Sequence, residues 1–67
     1  MDYERYYIYF VSEDDYLFVE YDKPFVRIVQ KRGTDINTIV LMEDSMELEI
    51  LTAALGYLLK KIRKKWK

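Results

Sequence analysis

"TIVLMEDSMELEILTAALGYLLKK", Thr38 to Lys61, is the stretch in which the chain changes its period. Up to Met42 the side chains alternate as on a strand, with Ile39 and Leu41 to one side and Thr38, Val40 and Met42 to the other. From Met46 the apolar residues return every three or four positions, as on a helix. Between the two runs, Asp44 with Glu47 three residues later fits a capping box, with Ser45 as the alternative cap. Leu, Ala, Glu and Lys are plentiful from Met46 to Lys61, and no proline interrupts them. A helix is therefore predicted over about 45–65, roughly 30 Å long at 1.5 Å per residue.

Upstream of this junction lie three more runs rich in Tyr, Phe, Val and Ile, each bounded by turn chemistry. With the run already described, strands are predicted over about 5–11, 16–21, 25–32 and 38–42. "SEDD" (Ser12 to Asp15), "DKP" (Asp22 to Pro24) and "GTDIN" (Gly33 to Asn37) separate them. Connections this short favour an antiparallel meander. The expected fold class is α+β: a four-stranded antiparallel meander and then one long C-terminal helix (ββββα), forming a single domain over residues 1–67.

A chain of 67 residues sits where apolar burial only just offsets conformational entropy. It holds no Cys and no His, so neither a disulfide nor a thiolate or imidazole metal site can make up the difference. Hydrophobic residues are 51% of the sequence and aromatics 16%, more than a small core requires. A homo-oligomer is the expected source of the missing burial. The chain has no run long and apolar enough to span a bilayer, and its Met1-Asp2-Tyr3-Glu4 start is unlike a signal peptide, so a cytoplasmic location is expected.

Net charge is −1, but it is unevenly spread. Residues 1–49 hold all twelve acids against five bases, a net of −7, whereas residues 50–67 hold six bases and no acid, +6. At 100° per residue, Leu48, Leu51, Leu55, Leu58, Leu59, Ile62 and Trp66 fall on one side of the helix, a stripe that would cover the sheet as core. Met46, Ile50, Ala53, Ala54 and Tyr57 fall on the opposite side and are the expected dimer interface, the alanines permitting close approach. Beyond them the helix ends in "KKIRKKWK". Two or three lysines there would oppose the helix dipole. The full set, Lys60, Lys61, Arg63, Lys64, Lys65 and Lys67, also suits a solvated charge run or a surface for nucleic-acid phosphates. A basic amphipathic membrane helix is disfavoured, because the core already requires the stripe.

Alternation divides the strands as well. Tyr6, Ile8, Phe10, Leu17, Val19, Tyr21, Val26, Ile28, Ile39 and Leu41 form an apolar set expected under the helix. The other set holds Arg5, Tyr7, Tyr9, Val11, Tyr16, Phe18, Glu20, Phe25, Arg27, Val29, Lys31, Thr38, Val40 and Met42. Aromatic rings beside Lys or Arg can stack unpaired bases while holding phosphates, worth about 1–3 kcal/mol per base. The same rings would also serve as cross-strand pairs, or bury against a partner.

The order of elements, with a basic third strand ("FVRIVQKR"), an alternating fourth ("TIVLM") and an acid-capped amphipathic helix, resembles the single-stranded-DNA-binding domain of the positive transcriptional coactivator family and its small prokaryotic and viral relatives. That resemblance implies a homodimer made through the helices, and sheets whose basic and aromatic residues grip single strands with little sequence preference. Arg27, Lys31 and Arg32 match the basic third strand by position. The chain departs from the pattern in having Asp2 and Glu4 where a basic leader and a Lys-rich first strand belong, and in placing its strongest positive cluster at the C-terminal end.

Catalytic parts are lacking. There is no His, no Cys and no Gly-rich phosphate loop, and the carboxylates of Glu13 to Asp15 and of Glu43 and Asp44 sit at turns. No enzyme, cofactor, metal site or small-molecule substrate is expected. Two functional expectations remain. One is a dimeric protein that binds single-stranded DNA or RNA through Arg5, Tyr7, Tyr9, Tyr16, Phe18, Arg27, Lys31, Arg32 and the basic tail. The other is a small structural or regulatory module that uses the same faces to bind protein.

Overall fold

The computed structural model describes residues 2–65, without the side chain of Lys65. Trp66 and Lys67, expected on the stripe and in the basic tail, lie outside the described residues. The chain folds as β1 (Tyr3–Ser12), β2 (Asp15–Asp22), β3 (Phe25–Arg32), β4 (Asp35–Met42) and α1 (Met46–Lys65). The strands form one antiparallel sheet in sequence order, so the α+β meander-then-helix layout is the observed one.

Each hairpin closes on two residues, tighter than the predicted turns. Gly33 has φ 62°, and among the described residues no non-glycine residue has a positive φ. A positive φ at the first loop position alone is the requirement of a II′ turn, which glycine meets without steric cost. The Gly33 amide also donates to the Asp14 carbonyl at 2.7 Å, tying the β3–β4 turn to the β1–β2 turn. Lys23-Pro24 forms the middle turn with a cis peptide bond, and the Glu43 amide donates to the Pro24 carbonyl at 2.8 Å. The helix is capped by Ser45 rather than Asp44: the Ser45 hydroxyl accepts from the Glu47 amide at 3.0 Å, satisfying one of the helix's orphan donors.

Register corrects the strand faces. β1 pairs Tyr7 with Phe18 but Tyr9 with Leu17, leaving Ile8 unpaired in a β-bulge, and a second irregularity at Val11 precedes Ser12. One extra residue inverts the alternation beyond it. Phe10 therefore joins Tyr7, and Tyr9 joins Tyr6, the reverse of strict alternation. The first face, face A, carries Tyr3, Arg5, Tyr7, Phe10, Tyr16, Phe18, Glu20, Phe25, Arg27, Val29, Lys31, Thr38, Val40 and Met42. Face B carries Glu4, Tyr6, Tyr9, Leu17, Val19, Tyr21, Val26, Ile28, Gln30, Arg32, Ile39 and Leu41.

The larger correction concerns the core. Helix α1 approaches the sheet only through β4, and its stripe is not buried: Leu55 is 56% exposed and Leu58 51%, with Leu59 and Ile62 also exposed. Leu48 and Leu51, close to the β4–α1 turn, are half-buried. The expectation that this helix covers the apolar face of its own sheet is overturned, because after the three-residue connection from β4 the helix meets β4 alone and no other strand. Among the described residues only Phe18 and Glu20 are buried.

Candidate nucleic-acid interface

The centre of face A is a row of rings. Phe10 and Tyr16 stack with centroids 6.0 Å apart and planes 11° from parallel, and Tyr16 and Phe18 stack at 5.7 Å and 18°. Tyr7 meets all three edge-on, at 5.5 Å from Phe10, 6.3 Å from Tyr16 and 5.3 Å from Phe18. Offset and edge-to-face contacts of this kind are the preferred aromatic geometries. Phe18 is buried at the inner end of the row, Tyr16 is half-buried, and Tyr7 and Phe10 stand exposed at 48% and 57%. Phe10, missing from the expected site, stands in the aromatic row, whereas Tyr9 lies on face B, where its hydroxyl accepts from the Gln30 amide at 3.3 Å. Arg32 is on that same face, its guanidinium held more basic than usual chiefly by the Tyr9 hydroxyl.

The cations of face A are engaged internally. Glu20, directly opposite both Arg5 and Arg27, accepts from Arg27 Nε at 2.7 Å, from Arg5 Nη2 at 2.9 Å and Nε at 3.1 Å, and from the Tyr3 hydroxyl at 2.8 Å. Arg27 also donates to Asp22 at 2.6 Å, and Lys31 pairs with Asp14 at 3.0 Å. Hydrogen bonds from Arg27 first, and from Tyr3 and Arg5, hold the Glu20 carboxyl down to about 2 against the opposing effect of its burial. A carboxylate satisfied by three residues is a structural anchor, and it leaves little net positive charge on this face.

The helix differs. Lys60, Lys61, Arg63 and Lys64 are exposed, and among the described residues no acid pairs with any of them. Lys61 Nζ lies 4.9 Å from the centroid of the Tyr57 ring, one turn back. Met46, Ile50, Ala53, Ala54 and Tyr57, the expected dimer interface, are all exposed in the single chain. The expected site thus divides into three parts: an aromatic row on face A, a cationic end of α1, and Tyr9 with Arg32 on the reverse of the sheet.

No described helix is long and apolar enough to cross a membrane. Among the described residues no group of three His, Cys, Asp or Glu side chains is arranged to hold a metal ion. No protein-family model matches this chain, and neither a curated protein nor a solved structure matches it significantly.

Proposed function

We propose that this is a non-catalytic, self-associating protein that binds single-stranded nucleic acid with little sequence preference. The reading is carried by one observation: Tyr7, Phe10 and Tyr16 form a pre-assembled row of rings on a sheet face that no described part of the chain covers. Unpaired bases of any identity can stack on such rings. Because Arg5, Arg27 and Lys31 are held by Glu20, Asp22 and Asp14, long-range attraction for phosphates falls to Lys60, Lys61, Arg63 and Lys64. Binding would then combine stacking on the sheet with counterion release at the helix.

The internal ion pairing favours a second reading, a protein-interaction module whose face A meets an apolar partner surface. Fluorescence anisotropy of a labelled single strand of about 20 nucleotides, beside the matching duplex at two salt concentrations, separates the two. Salt-sensitive binding that prefers the single strand supports the first reading. Lack of binding at low salt overturns it in favour of the second.

A further inference from the structure

We infer that two copies assemble by reciprocal exchange, helix α1 of each lying across face B of the other. Among the described residues two apolar surfaces lack a partner: the helix stripe, with Leu55, Leu58, Leu59 and Ile62 exposed, and the inner part of face B, where Tyr6 and Ile39 are exposed and Val19, Val26 and Ile28 only half-buried. The helix reaches its own sheet only at β4, so the two surfaces cannot cover each other within one chain in this arrangement. Two chains can satisfy both at once.

The size of the chain says how much must be covered. Its accessible surface is 5810 Å² for 8.2 kDa, whereas a compact monomer of that mass exposes about 4,500 Å². Its radius of gyration is 14.0 Å, against about 11 Å for a compact chain of this length. The excess of about 1,300 Å² exceeds the roughly 800 Å² per partner of a standard stable interface.

Dimensions point to a second copy as the occupant. Twenty helical residues span about 30 Å, and strands of eight residues span about 26 Å, so the helix is long enough to cross the sheet along its strands. A concavity of about 120 Å³, lined by Tyr6, Val19, Glu20, Tyr21 and Val26, opens there for an inserted leucine. Such exchange also leaves the aromatic row of face A open.

The arrangement rests on the self-association proposed above and is indifferent to what face A binds. The absence of native cysteine permits a direct test. Val19→Cys and Leu55→Cys chains, with Ile28→Cys and Leu58→Cys as a second pair, are co-refolded, oxidised and weighed, with light scattering on the unmodified chain. Because a disulfide forms only where the Cα atoms come within about 7 Å, the mixed pair should give roughly tenfold more covalent heterodimer than either variant alone gives covalent homodimer. A dimeric mass with Leu55→Cys joining only to itself overturns the exchange and leaves self-association standing. A monomeric mass, with or without binding to anionic vesicles, overturns both.

Discussion

The Arg5 guanidinium lies 4.1 Å from the centroid of the Phe18 ring, so a cation roofs the one apolar side chain that is buried among the described residues. The same guanidinium donates twice to Glu20. Arg5 therefore joins the aromatic row to the ion network and is a structural residue of face A before it is anything else. A planar fork that stacks and donates at once is specific to arginine.

Replacing Arg5 by Ala should lower stability by about 2 kcal/mol, since it removes charge-assisted bonds to a buried carboxylate. Arg5→Lys should recover less than half of that loss, because an ammonium cannot fork to Glu20 while lying flat on Phe18. Urea unfolding monitored by tyrosine fluorescence measures both. Wild-type stability in Arg5→Ala would show that the roof contributes nothing.

The bulge at Ile8 makes a sharper prediction about binding. Tyr7→Ala with Phe10→Ala removes the two exposed members of the row, and by the stacking scale of about 1–3 kcal/mol per base the affinity for a single strand should fall at least tenfold. Tyr9→Ala should leave affinity within about twofold, as Tyr9 lies on the opposite face. Equal losses from Tyr9→Ala and from the double variant would return the site to strict alternation.

The order of elements was legible in the sequence, and the failures lie in register and in what covers each face. Strand and helix order and the hairpin positions come from the turns, but the register does not: a turn over Asp22 to Pro24 would set Tyr21 against Phe25, whereas closure on Lys23-Pro24 sets Asp22 against Phe25 and Glu20 against Arg27. Counting back from Glu13-Asp14 in the same way places Arg5 opposite Asp22. The two irregularities in β1 shift the pairing so that Arg5 meets Glu20 and Tyr3 meets Asp22. Nothing in "YYIYFV" marks the bulge, because aromatic and β-branched residues suit either side of a strand. The helix stripe was legible as apolar, but which surface covers it was not, since periodicity reports a face and never the identity of its partner.

The Glu20 network also fixes an acid limit. Its folded-state value of about 2 lies below the ordinary 4.5, so the stabilisation is fully present above pH 4.5 and is lost as pH falls from there through about 2. Glu20→Gln should flatten that part of a stability–pH profile while lowering stability at neutral pH. An unchanged acid slope in the variant would assign the acid transition to other carboxylates.

At the alkaline end the sign reverses. The Tyr21 hydroxyl donates to Glu43, which pushes the phenol up to about 12. Stabilisation from this pair is present below the ordinary value of 10 and is lost as pH rises through about 12. Tyr21→Phe should shallow the alkaline decline without abolishing it, because Tyr3 and Tyr6 are raised as well, by Glu20 and Glu4. It should also speed amide exchange over residues 43–48, where the sheet hands the chain to the helix.

Division of labour between sheet and helix can be read from salt dependence. Each phosphate neutralised on a single strand contributes about −0.7 to the slope of log affinity against log salt. Lys60, Lys61, Arg63 and Lys64, unpaired among the described residues, should supply most of it, so replacing all four by Gln should shallow the slope by roughly 3. Lys31→Gln, which also frees Asp14, should change it by less than about 0.5, because that lysine is already neutralised by its neighbour. The reverse ordering would mean that the sheet's ion pairs open on binding and that Glu20, Asp22 and Asp14 give up their cations to phosphate.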